Sequence, residues 1–137
     1  MIIHSGRLVL YLLSLWFLTA CSQAQPVSQN SPSITIHGVI IRNELVISVT
    51  DVQLLVPSTG NFVSCGNIMA HSMCATKFPH ADYYSQKVVV SWTEKGEPHA
   101  TGEFVVKIPE WLDLTRPARL EVIIFSPGEA GAKLLQN

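Results

Sequence analysis

Two methionines and a histidine alternate along a short segment of this chain, at Met69, His71 and Met73. On an extended strand alternate residues point to the same face, so the three side chains would form one cluster. Thioether and imidazole groups are soft ligands that suit Cu(I), and the spacing therefore predicts a candidate copper site. The structural alternative is that both methionines pack beneath the loop while His71 faces solvent, because methionine readily fills gaps in a core. The sequence contains no second run of Met and His that would complete a metal site.

An aromatic stretch, residues 78–84, is the second group of chemical interest, and it contains His80, Tyr83 and Tyr84. Adjacent residues of an extended chain face opposite ways, so one tyrosine is expected in the core and the other at the surface. An exposed tyrosine beside a histidine is a candidate binding surface for a protein or a glycan, since aromatic residues anchor interfaces. The favoured alternative is a tyrosine that closes a corner of a β-sandwich, with its hydroxyl hydrogen-bonded to the backbone.

Signatures of the common enzyme classes are missing from the sequence. It contains no Gly-x-Ser-x-Gly, no glycine-rich phosphate loop and no His-Glu-x-x-His, and its acidic residues are isolated. A small hydrolase stays as a third hypothesis, because a catalytic triad can assemble from residues that are distant in sequence. The 137 residues include 9 Lys+Arg and 10 Asp+Glu. This balance argues against nucleic acid as a partner, since phosphate recognition needs clustered basic residues.

Residues 1–20 have the pattern of a signal peptide. Residues 8–18 form an eleven-residue run that is apolar at all but one position. The run is too short for a membrane-spanning helix, which needs about 20 residues. It ends in Leu18-Thr19-Ala20-Cys21, which resembles the lipobox of bacterial lipoproteins.

The resemblance implies that Cys21 carries a diacylglyceryl group and that signal peptidase II cleaves before it, so that Cys21 becomes the mature amino terminus. Two or three acyl chains anchor a protein stably, because each buried CH₂ group contributes about 0.8 kcal/mol. Ser22 follows the cysteine in place of an aspartate, which implies the periplasmic face of the outer membrane as the location. The alternative is an ordinary secreted protein in which Ala20 ends a conventional cleavage site.

The chain has three cysteines, and lipidation of Cys21 leaves Cys65 and Cys74 as an even pair in an oxidising compartment. A bond between these two would close a short loop and stabilise the fold by roughly 2.5–3 kcal/mol through the entropy of the unfolded chain. We therefore predict a structural disulfide. A redox pair is the alternative, and it is disfavoured because the spacing is not Cys-x-x-Cys.

The rest of the chain divides into a tether and one domain. Residues 21–33 carry no charge and two prolines, so they are expected to be a disordered tether with a span of about 20 Å. Residues 34–137 show apolar side chains that alternate with a period of two, and turn-forming residues interrupt them at intervals of roughly 8–12 residues. This pattern predicts an all-β fold, a single antiparallel β-sandwich of about seven strands, immunoglobulin-like.

Three details of this prediction are specific. Trp92 shares a strand face with two valines and is predicted to be among the most buried residues. The apolar alternation changes phase at Thr50-Asp51, which predicts a bulge or a change of strand. Residues 110–115 are expected to form one helical turn, with Trp111 and Leu112 pointing inward.

The sequence predicts function only as a class. We expect a non-enzymatic binding or scaffolding module that faces the periplasm and uses no cofactor. Its partners would be the membrane, through the lipid anchor, and another envelope protein. Copper binding is the alternative. A copper titration followed by mass spectrometry separates the two, since only a copper protein gives a stoichiometric adduct.

Overall fold

Ten β-strands make up the described part of the chain. The computed structural model describes residues 31–78 and 81–137, so the signal peptide, Cys21, most of the predicted tether and His80 lie outside the described residues. The strands are β1 Ile34–Asn43, β2 Val49–Val56, β3 Asn61–Ile68, β4 Ser72–Thr76, β5 Ala81–Tyr83, β6 Lys87–Glu94, β7 Glu97–Ala100, β8 Phe104–Val105, β9 Ala118–Ser126 and β10 Glu129–Leu135. No helix within these two ranges is long and apolar enough to cross a membrane.

The strands form two sheets that pack against each other. Sheet 1 has the order β10-β9-β1-β4, with β5 also paired to β1. Sheet 2 has the order β3-β2-β6-β7, with β8 also paired to β6. The buried apolar residues of both sheets form one continuous core. The prediction of an all-β sandwich is therefore confirmed.

The sandwich differs from the expected one in its strand number and in one pairing. β4 and β5 pair with different parts of β1, and β7 and β8 pair with different parts of β6. Gly102 lies between β7 and β8, and glycine weakens a strand. β1 pairs in parallel with β9, so sheet 1 is mixed. β1 is also interior to its sheet, whereas the first strand of an immunoglobulin constant-type domain lies at an edge.

The alternation of apolar side chains on β6 directs one face into the core, as predicted. Trp92 is 2% exposed, and Val88 and Val90 beside it are buried. After β8, Val106 is buried while Lys107 is exposed. The period of two therefore separates core from surface on β6 and in the segment after β8, which a helix would not do.

The phase change in β2 is a bulge. The register of β2 against both neighbouring strands shifts between Val49 and Gln53. Asp51 lies within this shift and has a positive φ of 52°. The irregularity lets Val49 and Val52, which are three residues apart, both point into the core.

The helical turn expected at residues 110–115 does not form. Two separate turns take its place, one that ends at Leu112 and one in which the Arg116 N–H donates to the Asp113 carbonyl at 3.2 Å. The Leu112 N–H donates to the Pro109 carbonyl at 3.1 Å, and Leu112 is buried. Trp111, by contrast, is 70% exposed. These two adjacent side chains point in different directions from a turn at the surface, so only Leu112 enters the core and the expectation that Trp111 points inward is wrong.

The two ends of the sandwich carry different connections. The tether end is the one where β1 begins at Ile34, directly after the predicted tether. β9 begins beside it, because Ile36 pairs with Ala118. The far end carries the β1–β2 connection, residues 44–48, and the β3–β4 turn, residues 69–71.

A buried asparagine holds these two far-end connections together. The Asn43 side chain is fully buried, and its Nδ2 donates to the carbonyl oxygens of Ile47 at 2.8 Å, Ile68 at 3.1 Å and Met69 at 3.1 Å. Its Oδ1 accepts a hydrogen bond from the Leu45 N–H at 3.0 Å. One amide therefore satisfies backbone groups that would otherwise be unpaired at the end of the core.

Candidate functional site

An apolar pocket opens between the two sheets at the tether end. Its volume is about 200 Å³. This exceeds the roughly 150 Å³ of an engineered apolar cavity that binds benzene. The pocket is lined by Ile36, Leu54, Val56, Thr59, Asn61, Phe78, Asp82, Tyr83, Tyr84, Gln86, Val88, Leu120 and Leu134.

The pocket forms because the side chains on the core faces of the strands are small at the tether end. The inward face of β6 carries Trp92 towards the far end and Val88 at the tether end, so the volume of its side chains falls towards the pocket. β2 likewise ends in Val56, with no aromatic side chain to fill the gap. Ile36 and Leu120 of sheet 1 face these residues across the opening. The walls that β1, β2, β6 and β9 contribute are therefore aliphatic, and the aromatic lining residues Phe78, Tyr83 and Tyr84 come from the chain between β4 and β6.

Tyr83 fixes one side of the pocket mouth. It is buried, its hydroxyl donates to the Gln86 carbonyl at 2.9 Å, and the same hydroxyl accepts from the Val106 N–H at 2.9 Å. Burial raises the pKa of the Tyr83 phenol, and the hydrogen bond from Val106 offsets this in part. The tyrosine thus joins the β5–β6 connection to the segment after β8, the corner arrangement that the sequence favoured.

Tyr84 and Asp82 form a polar rim at the same mouth. Tyr84 is half exposed, and its hydroxyl donates to Asp82 Oδ2 at 3.4 Å. The Thr35 hydroxyl donates to Asp82 Oδ1 at 3.0 Å. Among the lining residues in the described ranges, Asp82 is the one that is charged at neutral pH. An apolar interior with a small hydrogen-bonding rim is typical of sites that bind apolar or amphipathic small molecules.

The Met69, His71 and Met73 cluster lies on the far end. The expectation of one extended strand is wrong, and the alternative is right for His71, which is exposed, but wrong for the two methionines. Met69 and His71 are on a turn, not on an extended strand; the Ser72 N–H closes this turn onto the Met69 carbonyl at 3.2 Å. Neither methionine packs beneath the loop, since Met69 is 70% and Met73 57% exposed. Within residues 31–78 and 81–137, no group of three or more His, Cys, Asp or Glu is arranged to hold a metal ion.

The predicted disulfide between Cys65 and Cys74 is confirmed. The two Cα atoms are 6.0 Å apart, within the usual range for a disulfide. Cys65 lies on β3 and Cys74 on β4, which are edge strands of sheet 2 and sheet 1. The bond therefore cross-links the two layers of the sandwich, which is a structural role.

Two buried carboxylates have structural partners and are not part of the pocket. Glu94 accepts from the Trp92 Nε1–H at 3.4 Å. Glu121 lies 3.1 Å from Arg42 and 3.1 Å from Lys133 on the outer face of sheet 1. Burial raises the pKa of Glu121, but hydrogen bonds from Lys133 and Arg42 outweigh this effect and the pKa is lowered. Both groups are thus engaged in stabilising the strands that carry them.

The sequence had identified only Tyr83 and Tyr84 among the residues that line the pocket. It had not predicted a cavity, because the aliphatic lining residues have the same alternation as ordinary core positions. Cys21 and His80, the other residues named from the sequence, lie outside the described residues.

No protein-family model matches this chain, and no curated protein matches it. A solved structure with some similarity is the NMR structure of a protein from Eubacterium rectale, which is 12% identical in sequence. The alignment covers 80% of this chain and 93% of that one, with a TM-score of 0.46. A resemblance this distant supports no conclusion about function.

Proposed function

We propose that this protein is a lipid-anchored lipoprotein of the outer membrane, and that its β-sandwich is a non-enzymatic module that binds an apolar ligand at the periplasmic face. The apolar pocket at the tether end is the observation that carries the binding function. The lipobox Leu18-Thr19-Ala20-Cys21 supports the anchor. Another envelope protein is the expected partner of the module.

The chemistry of the pocket favours binding over catalysis. Its walls are aliphatic and aromatic, and the one carboxyl group among the described lining residues, that of Asp82, lies at the rim and accepts a hydrogen bond from Tyr84. No serine or threonine hydroxyl in the described ranges is hydrogen-bonded to a histidine. An aliphatic or aromatic group of a ligand would replace water in this space, which is favourable at about 25 cal/mol per Å² of apolar surface buried.

Replacement of Cys21 by serine tests the anchor. Serine has no thiol to accept the diacylglyceryl group, so Cys21→Ser is expected to abolish incorporation of labelled palmitate and to leave unprocessed precursor. The measurement is metabolic labelling followed by electrophoresis. Wild-type labelling in the variant would refute the assignment.

A tryptophan at the pocket rim tests the binding site. Asn61 lines the pocket mouth, its side chain is exposed, and it makes no side-chain hydrogen bond in the described structure. Asn61→Trp is therefore expected to obstruct the mouth without disturbing the core, and to weaken binding of a small neutral probe, hexanol, about tenfold or more. Binding is measured from the methyl chemical shifts of Leu54 and Leu120 in the full-length protein.

Asn67→Trp is the matched control, because Asn67 is an exposed asparagine of the same strand, β3, towards the far end. This variant should bind hexanol within about twofold of the wild type, since no lining residue changes. Absence of saturable binding in the wild type would contradict the proposed function. Equal weakening in both variants would place the binding site elsewhere.

Copper binding is the second candidate function. The observation that favours it is that Met69, His71 and Met73 all face solvent at or beside one turn, where their sulfur and nitrogen atoms are accessible. Soft ligands of this kind suit Cu(I). A stoichiometric copper adduct in mass spectrometry that is lost in Met69→Leu would establish copper binding. If the wild-type protein gives no adduct, copper binding is refuted.

A further inference from the structure

The loop between β8 and β9 exposes two large apolar side chains. Trp111 is 70% and Leu114 44% exposed. The loop is nevertheless held firmly, because the Gln136 side chain donates to the carbonyls of Asp113 at 2.6 Å and Arg116 at 3.0 Å and accepts from the Asp113 N–H at 3.0 Å. The backbone on both sides of Leu114 is therefore tied to Gln136, directly after β10, while the two apolar side chains remain in solvent.

This loop lies at the tether end of the sandwich. It leads directly into β9, whose first residue, Ala118, pairs with Ile36 near the start of β1. Arg116 also lines a shallow groove together with His37 of β1. The exposed tryptophan is therefore on the side of the domain where the chain arrives from the predicted tether at Ile34.

We propose that Trp111 and Leu114 form a membrane-contact site, which places the tether end of the sandwich on the bilayer that holds the anchor. The inference rests on the proposed lipid anchor at Cys21. Tryptophan favours the membrane interface, because its ring is apolar and its N–H can stay hydrated. The tether expected from the sequence, with a span of about 20 Å, would keep the domain near the surface. The resulting effective concentration of the domain at the membrane surface is in the millimolar range. A weak contact between Trp111 and the bilayer is therefore enough to keep the two together.

Charge contributes less to this contact than apolar burial. Arg116 and Arg119 both donate hydrogen bonds to Asn137, the last residue of the chain. Glu110 and Asp113 are exposed in the same loop and offset the positive charge of these arginines. The contact is therefore expected to persist at high ionic strength, unlike one made by a basic patch.

Quenching by brominated lipid tests the contact. The full-length protein is reconstituted into phosphatidylcholine vesicles with or without brominated acyl chains, and the emission of Trp111 is obtained by subtracting that of Trp111→Phe. We expect this emission to fall by about half with brominated lipid, because interfacial apolar side chains sit about 5–10 Å into the boundary between headgroups and acyl chains. Trp92 serves as an internal reference, since it is buried in the core.

Val46→Trp in the Trp111→Phe background is the control, because Val46 is 82% exposed at the far end. Its emission is expected not to change with brominated lipid. If the protein floats with the vesicles but Trp111 emission is not quenched, the contact site is refuted and the anchor is not. Protein that does not float with the vesicles would refute the anchor, and the contact site with it.

Discussion

Replacement of Trp92 by alanine is expected to lower the free energy of unfolding of the full chain by about 3–5 kcal/mol, the usual cost for a buried aromatic residue. Trp92 is 2% exposed and stands between the sheets, so its removal leaves a cavity that the β-sheets cannot collapse to fill. The variant also removes the hydrogen bond from the indole N–H to Glu94, which is itself buried. Urea denaturation followed by circular dichroism measures the change.

Lys107→Ala and Glu103→Ala are the controls, because these two exposed residues flank β8, which pairs with β6. Lys107 has no hydrogen bond or ion pair in the described structure, and Glu103 has only an exposed ion pair with Lys87 at 3.4 Å. Both variants should stay within about 0.5 kcal/mol of the wild type. A cost for either that equals the cost of Trp92→Ala would contradict the assignment of the two faces.

Asn43→Ala is expected to destabilise the protein by about 3 kcal/mol, because each buried polar group left unpaired costs about 1–3 kcal/mol. The variant leaves the carbonyls of Ile47, Ile68 and Met69, and the N–H of Leu45, without the side chain that now pairs with them. Hydrogen exchange should also become faster in the two far-end connections, while the tether end keeps its protection.

Asn67→Ala is the matched control for this prediction. Asn67 is exposed on β3 and makes no side-chain hydrogen bond in the described structure. We expect its replacement to change the free energy of unfolding by less than about 0.5 kcal/mol. Similar small costs for Asn43→Ala would mean that water satisfies the freed groups and that the asparagine does not hold the far end together.

The all-β class, the core and the disulfide were predictable because each depends on local sequence, whereas the division into ten strands was not. Alternation around Trp92 specifies which side chains face the core, and the phase change at Thr50-Asp51 marks the bulge in β2. Cys65 and Cys74 were left as a pair once Cys21 was assigned to the lipid. The parallel pairing of β1 with β9 was not predictable, because it joins strands about 80 residues apart and alternation does not encode the choice of neighbour.

The pocket was not predictable for a related reason. Ile36, Leu54 and Leu120 look like ordinary core residues in the sequence. They line a pocket only because the fold brings them together at an end of the sandwich that no other side chain of the described residues fills. The aromatic residues Tyr83 and Tyr84 were the one local signal for it. The exposure of Met69 was not predictable either. The alternation indicated a strand at this position, but His71 has a positive φ of 54° and the chain turns there.

The binding of an apolar ligand between the two sheets can be observed through intermolecular nuclear Overhauser effects. The full-length protein with labelled Ile, Leu and Val methyl groups is mixed with hexanol. We predict contacts from the hexanol chain to Ile36 and Leu120 of sheet 1 and also to Leu54 and Val88 of sheet 2. Contacts confined to the exposed Val46 at the far end, or no contacts at all, would contradict binding between the sheets.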